Sequence, residues 1–84
     1  MTETRIGMVT HYYNHLHVAG VTVTDGELHK GDTIHVNGHT SDFEQKVESM
    51  EIDHETVDVA TAGDQIGLSV IEPAREHDTV YMVT

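Results

Sequence analysis

Two short stretches decide the fold of this chain: Gly26-Glu-Leu-His-Lys-Gly31-Asp32-Thr-Ile34 and Ala60-Thr-Ala-Gly63-Asp64-Gln-Ile66-Gly67-Leu68. Each has a Gly-Asp pair just before an apolar strand-like segment. Glycine adopts the positive φ that tight turns need, and an aspartate beside it can accept hydrogen bonds from backbone amides. Both stretches are therefore predicted to be corners, which are turns that lead into strands. Leu28 is expected to pack beneath the first corner.

Outward from these turns, the apolar residues recur at a spacing of two, and most of them are β-branched. This pattern is typical of strands and not of helices. Pro73 interrupts the pattern before the last segment, as proline does in a sheet. Six segments fit a strand: 5–13, 17–24, 33–37, 43–53, 65–71 and 79–83.

Two regions between the turns depart from simple alternation. The apolar phase changes between Val47 and Met50, which indicates a bulge or a corner in a long strand over 43–53. Residues 55–60 are expected to form an irregular connector. The chain is therefore predicted to be all-β, a small closed six-stranded Greek-key β-barrel formed as a single domain by residues 1–84.

Both quoted stretches resemble the second domain of translational GTPases such as elongation factor Tu. In that family the sequence at the first corner resembles G-x-L-x-x-G-D-x-I, and the sequence at the second corner resembles A-x-A-G-D-x-I-G-L. Two further segments also resemble strands of that domain: Lys46-Val47-Glu48-Ser49-Met50 and Ile6-Gly7-Met8-Val9. The resemblance covers nearly the whole chain and implies a β-barrel of the translation-protein type.

In the elongation factor, this domain helps to hold the aminoacyl end of transfer RNA. The resemblance implies a binding site at the matching positions, Glu51, Ile66 and Gly67. No phosphate-binding G-x-x-x-x-G-K-[S/T] motif is present, so nucleotide hydrolysis is not expected. The same barrel type is an accessory domain in other proteins, including some collagenase-like peptidases, so the resemblance leaves the ligand open.

The charge is strongly one-sided, with 15 acidic and 4 basic residues and a formal net charge of −11. Self-repulsion of this kind destabilises a compact state, and about 1 M salt screens it within a Debye length of ~3 Å. The composition therefore indicates a salt-loving cytoplasm and a stability that rises with salt. It also disfavours nonspecific binding to a phosphate backbone, which requires clustered lysine and arginine, so only local contacts to RNA are expected.

The chain contains no cysteine, which excludes disulfides, thiolate catalysis and Cys-ligated zinc. The first five residues are polar, and no stretch matches a signal peptide or a membrane span. A cytoplasmic protein that does not enter the membrane is therefore expected.

Tyr12 and Tyr13 lie beside His11, His15 and His17 and form an aromatic and imidazole patch near the first turn. Such a patch can stack an unpaired base. Alternatively, one tyrosine faces the core and the other covers a barrel end. The imidazoles offer a cysteine-free site for zinc or nickel, but histidine as polar surface is the simpler interpretation. No metal or other cofactor is predicted.

No nucleophile motif such as G-x-S-x-G is present, and Ser41, Ser49 and Ser69 have no recognisable catalytic setting. An enzyme is therefore not predicted. The leading hypothesis is a stand-alone, non-catalytic module that binds transfer RNA, a ribosomal component or a protein partner in translation. Two alternatives stay open, a protein-interaction module unrelated to translation and a histidine-based metal-binding protein.

Overall fold

The computed structural model describes residues 2–84, and these residues form ten β-strands and no helix. Accordingly, the described chain has no helix able to cross a membrane. The prediction of an all-β fold is confirmed. The strands are β1 (Glu3–Tyr13), β2 (Val18–Val23), β3 (Glu27–His29), β4 (Thr33–Asn37), β5 (Asp42–Lys46), β6 (Met50–Ile52), β7 (Glu55–Val57), β8 (Val59–Thr61), β9 (Gln65–Ser69) and β10 (Thr79–Val83).

Eight strands form one antiparallel sheet in the order β5-β4-β10-β1-β2-β9-β6-β7, and β3 pairs with β8 in a second sheet. The late strands return beside the early ones, with β9 between β2 and β6 and β10 between β4 and β1. The two chain ends therefore meet: Thr2 and Thr84 exchange two backbone hydrogen bonds of 2.8 Å each.

The core lies on one face of the large sheet because the apolar residues alternate along its strands. On β2 the buried residues are Ala19, Val21 and Val23, and on β9 they are Ile66 and Leu68. The residues between them point to the outer face. The spacing of two in the sequence therefore separates the core from the surface on which a ligand can bind.

The two Gly-Asp stretches meet in the small sheet. Leu28 pairs with Ala60 across β3 and β8, and both side chains are buried in the core. The predicted burial of Leu28 beneath its corner is confirmed. The small sheet thus joins the two corners to the same core as the large sheet.

Both corners share one turn geometry, and a third copy of it precedes β10. In each, an aspartate carboxylate accepts a hydrogen bond from the backbone N–H three residues earlier. The pairs are His29–Asp32, Thr61–Asp64 and Arg75–Asp78, with distances of 2.7, 2.8 and 2.8 Å. The residue before each aspartate has a positive φ: Gly31 (95°), Gly63 (99°) and His77 (74°). The predicted role of the aspartates is confirmed, and the third turn was missed because histidine replaces glycine.

Gly63→Ala is expected to lower the free energy of unfolding by about 1–2 kcal/mol, the usual cost of a left-handed conformation for an L-residue. A Cβ at this position meets no atom within 4 Å, so the cost is conformational only. His77→Gly should have the opposite sign, with a gain of up to about 1 kcal/mol. Urea unfolding measures both, and equal stability of Gly63→Ala and the parent would contradict the assigned turn.

The predicted closed six-stranded barrel is not confirmed. The main sheet has eight strands, and its edge strands β5 and β7 share no ladder within residues 2–84. After β5, the backbone of Val47 bonds the β3–β4 turn instead of another strand. Val47 N–H donates to the Asp32 carbonyl, and the Val47 carbonyl accepts from Gly31 N–H, both at 2.8 Å. These bonds attach the chain after β5 to a turn, and β5 stays an edge strand.

One buried side chain joins β5 to the last residue of β9 and to the chain just after it. Gln45 Nε2 donates to the Ser69 carbonyl at 2.8 Å, and Gln45 Oε1 accepts from Ile71 N–H at 2.8 Å. A buried amide with both ends bonded meets the requirement for polar groups in an interior. Side-chain hydrogen bonds therefore connect these two parts of the sheet where no ladder does.

The predicted strand over 43–53 is divided into β5 and β6, with the break at 47–49 where the apolar phase changes. The predicted irregular connector over 55–60 instead contains β7 and the start of β8. The reason is a tight turn at Asp53 and His54, whose positive φ values of 52° and 67° reverse the chain and pair β6 with β7.

Candidate functional site

A groove of about 580 Å³ crosses the outer face of β1, β2, β9 and β6. Two glycines face each other in its floor, Gly20 on β2 and Gly67 on β9, and Thr10 lies beside the first, with its Oγ1 donating to the Gly20 carbonyl at 3.2 Å. In the same row, Gly67 pairs with Glu51 on β6. Side chains cover the rows on either side. The two glycines have none, so a channel runs across the strands between these rows.

One wall of the groove is largely apolar. Val18 and Ser69 form a cross-strand pair beside the glycine row. Tyr13 and Leu16 extend this wall at the β1–β2 turn, where their exposed fractions are 48% and 68%. Two large apolar side chains are thus available to a ligand at this end.

The β6 end of the groove is acidic. Glu51, Asp53 and His54 line it, and the left-handed turn described above places the last two there. No lysine or arginine of the described chain lines the groove. Its electrostatic character therefore comes from two carboxylates beside one imidazole.

Four of the five predicted binding residues line this groove: Tyr13, Glu51, Ile66 and Gly67. The Ile66 side chain is only 4% exposed and belongs to the core, so Ile66 offers a ligand little side-chain surface. Tyr12 does not line the groove. It packs against the core, since consecutive residues of a strand face opposite sides.

The structure does not gather the histidines of the first turn into a metal site. The ring of His11 lies edge-on to Tyr13 with centroids 4.5 Å apart, and its Nδ1 is 3.8 Å from Glu76. Among residues 2–84, no group of three His, Asp or Glu side chains is arranged to hold a metal ion, so His11, His15 and His17 form no such site.

Three groove residues were not predicted from the sequence: Gly20, Leu16 and Asp53. A glycine inside an alternating strand indicates a close approach to the backbone, and this signal was available for Gly20. Leu16 and Asp53 have no comparable signal, because their positions depend on which strands become neighbours.

A second polar cluster lies on the outer face of β5, β4 and β1, outside the groove. His35 Nδ1 bonds the Glu3 carboxylate at 2.9 Å, and Nε2 bonds the Asp42 carboxylate. Both ring nitrogens must then donate, which requires the imidazolium form. The hydrogen bonds to Glu3 and then to Asp42 raise the pKa of His35 above its usual 6.5.

His35→Gln is expected to lower the free energy of unfolding by up to about 1 kcal/mol at pH 6 and by less at pH 9. Because the folded pKa is raised, the stabilisation is fully present below pH 6.5 and is lost as the pH rises through the folded pKa. Urea unfolding of both proteins between pH 6 and pH 9 measures this.

The control is His29→Gln, because the His29 ring has one carboxylate neighbour among residues 2–84, Glu27, at 3.0 Å and in an exposed setting. The difference between His29→Gln and the parent should change less with pH. A loss for His35→Gln that is the same at pH 6 and pH 9 would contradict a protonated His35 in the folded state.

The family model for elongation factor Tu domain 2 matches residues 17–71. The chain belongs to this family. The matched range contains both Gly-Asp stretches and three of the four strands that form the groove. The resemblance inferred from the two corners is therefore confirmed.

Longer proteins contain relatives of this elongation factor Tu domain 2 chain. A collagenase of Porphyromonas gingivalis is 38% identical over 80 residues, which cover 94% of this chain and 22% of the collagenase. An uncharacterised protease of Methanocaldococcus jannaschii is 35% identical over 79 residues, which cover 93% of this chain and 19% of the protease. The chain spans about a fifth of the length of these curated relatives.

Two solved structures share the elongation factor Tu domain 2 fold. The C-terminal domain of a Geobacillus thermoleovorans protein assigned to the U32 peptidases has a TM-score of 0.88 and 18% identity, covering 95% of this chain and 92% of that domain. GDP-bound aIF5B from Aeropyrum pernix has a TM-score of 0.66 and 15% identity, covering 94% of this chain and 15% of aIF5B. At these identities, the similarity shows the fold alone.

Proposed function

We propose that this elongation factor Tu domain 2 chain is a non-catalytic module that binds a chain-like ligand across the Gly20–Gly67 groove. The observation that carries the proposal is the pair of facing glycines, which opens the outer face of a sheet otherwise covered by side chains. Three positions that the family resemblance assigns to ligand binding, Glu51, Ile66 and Gly67, line the same groove.

The non-catalytic part of the proposal rests on the groove's chemistry. Its hydroxyl groups include Ser49 and Ser69, and among residues 2–84 neither hydrogen-bonds His54 or a carboxylate. An activated nucleophile needs a base within hydrogen-bond reach. Binding in the groove is therefore the simpler use of these residues.

We place the ligand in the translation apparatus, as either an RNA end or a protein component. Support comes from the match to elongation factor Tu domain 2 and from the fold shared with aIF5B. A cytoplasmic location in high salt is part of the same proposal, and the net charge of −11 supports it.

A second candidate is an accessory domain that holds a polypeptide for a protease. The relatives named collagenase and protease favour it, because their identity extends over more than nine-tenths of this chain. The same groove is the binding site in both candidates. They differ only in the identity of the ligand.

The test is a pull-down with the tagged protein from lysate of its own organism in molar potassium chloride, followed by RNA sequencing and mass spectrometry. Gly67→Val fills the groove, since a Cβ there already reaches Val18 Cγ1 at 3.4 Å, an ordinary contact. The matched control is Thr40→Val, on an exposed turn outside the groove.

We expect the parent and Thr40→Val to retain the same ligand and Gly67→Val to lose at least about 90% of it, a tenfold weakening or more. Enrichment of transfer RNA or ribosomal components would support the translation hypothesis. A protease substrate or partner would support the second candidate. Equal capture by Gly67→Val and the parent would refute the groove as the binding site.

A further inference from the structure

Resting on the proposed function, we propose that the groove binds an extended cationic polypeptide segment, with an apolar side chain about three residues from a lysine or arginine. The groove combines an apolar wall at one end with two carboxylates at the other.

The apolar wall fits a side chain of a polypeptide. Tyr13, Leu16 and Val18 lie together at the β1–β2 end, and Tyr13 and Leu16 are largely exposed. Exposed aromatic and aliphatic groups that gather at a groove gain free energy when a ligand covers them. An aliphatic residue of the ligand would remove this surface from water.

The acidic end selects the charge of the ligand. Glu51 and Asp53 are exposed, and no lysine or arginine of residues 2–84 lines the groove to neutralise them. Arg5 lies outside the groove, where its Nε is 3.8 Å from the Asp25 carboxylate. Lysine or arginine of a ligand would complement the two carboxylates, whereas a phosphate would meet like charge.

The separation of the two ends sets the spacing in the ligand. Val18 of the apolar wall is on β2 and Glu51 is on β6, so they are two strands apart and one same-face row apart along the strands. Neighbouring strands lie about 4.8 Å apart and same-face residues of one strand about 6.7 Å apart, so the span is about 12 Å, or roughly three to four residues of extended chain. The absence of a side chain at Gly67 leaves room for the ligand main chain.

The probe is a fluorescein-labelled hexapeptide, Gly-Leu-Ser-Thr-Lys-Gly, and its binding is measured by fluorescence anisotropy in 0.15 M and 1 M potassium chloride. Three matched probes replace lysine by glutamate, replace leucine by serine, or consist of a six-nucleotide oligouridylate. The peptide with leucine and lysine is expected to bind at least about tenfold more tightly than each of the others. Its affinity should fall about fivefold in 1 M salt.

The protein variants test the same contacts from the other side. Glu51→Gln with Asp53→Asn should weaken binding of the lysine peptide about fivefold to tenfold, as expected for two exposed ion pairs. The control, Glu44→Gln with Glu72→Gln, removes equal charge from exposed positions outside the groove and should change affinity less than about twofold.

The outcomes separate this inference from the proposed function. Binding that Gly67→Val abolishes but that favours oligouridylate or the glutamate peptide would overturn the cationic polypeptide and retain the groove. Equal loss in both double variants would also overturn it, because net charge alone would then account for the affinity. Probe binding that Gly67→Val leaves unchanged would remove the groove and with it the proposed function.

Discussion

Gly38→Ala is expected to lower the free energy of unfolding by about 3 kcal/mol, since it combines overpacking with the loss of a buried hydrogen bond. The added Cβ would overlap the carboxylate of Asp78, whose side chain is buried. This carboxylate cannot simply turn away. Its Oδ2 accepts from Arg75 N–H at 2.8 Å, and the Asp78 carbonyl accepts from Val9 N–H at 2.8 Å.

Urea unfolding of a double-mutant cycle tests the collision directly. In an Asp78→Ala background, adding Gly38→Ala should cost no more than about 1 kcal/mol, because the obstructing carboxylate is gone. Gly67→Ala is the control, since its Cβ would meet no atom closer than 3.4 Å. A loss for Gly38→Ala that is the same in both backgrounds would contradict the role of Asp78.

Raising potassium chloride from 0.05 M to 2 M is expected to increase the free energy of unfolding by about 3 kcal/mol. Each of the 11 uncompensated negative charges contributes about 0.3 kcal/mol of repulsion that salt screens. Urea is uncharged and leaves the ionic strength unchanged, so urea unfolding at each salt concentration measures the effect.

The control for salt is a variant with fewer charges. Replacing Glu48, Glu55 and Glu72 by glutamine removes three exposed carboxylates. This variant should gain less stability from salt and should be more stable than the parent at 0.05 M. Equal stability of the parent at 0.05 M and 2 M would contradict the inference of adaptation to high salt.

The local features of the fold could be predicted from the sequence because short-range chemistry determines them. The Gly31-Asp32 and Gly63-Asp64 turns follow from glycine's backbone freedom and aspartate's hydrogen bonding, and the burial of Leu28 follows from its place beneath the first turn. The break near Val47 was also visible as a change of phase.

Whether the edge strands of the sheet pair with each other could not be predicted in the same way. It depends on contacts between distant parts of the chain, such as Gln45 with Ser69 and Ile71. The spacing of two from Phe43 and Val47 places Gln45 on the buried face, but its hydrogen-bond partners cannot be read from the local sequence. The turn at His77 was not predicted for a different reason: histidine occupies a positive-φ conformation that glycine usually adopts.

The candidate site was predicted in part. Family resemblance led to Glu51 and Gly67, and local composition led to Tyr13, and all three line one groove. Tyr12 was grouped with Tyr13 because they are adjacent in sequence, yet the strand turns them to opposite sides. Gly20 was not identified, although a glycine inside an alternating strand was visible in the sequence, and its facing partner Gly67 is known only once β2 lies beside β9.

Thr2 and Thr84 lie side by side, joined by two backbone hydrogen bonds. The strand pairs therefore do not depend on which strand comes first in the chain. A short peptide linker could join these two residues and give a circular polypeptide with the same strand pairs. Cutting this circle within the exposed turn at 39–40 would give a circular permutant that begins near β5 and ends near β4. Such a permutant would carry its new termini on a side of the sheet that does not line the groove.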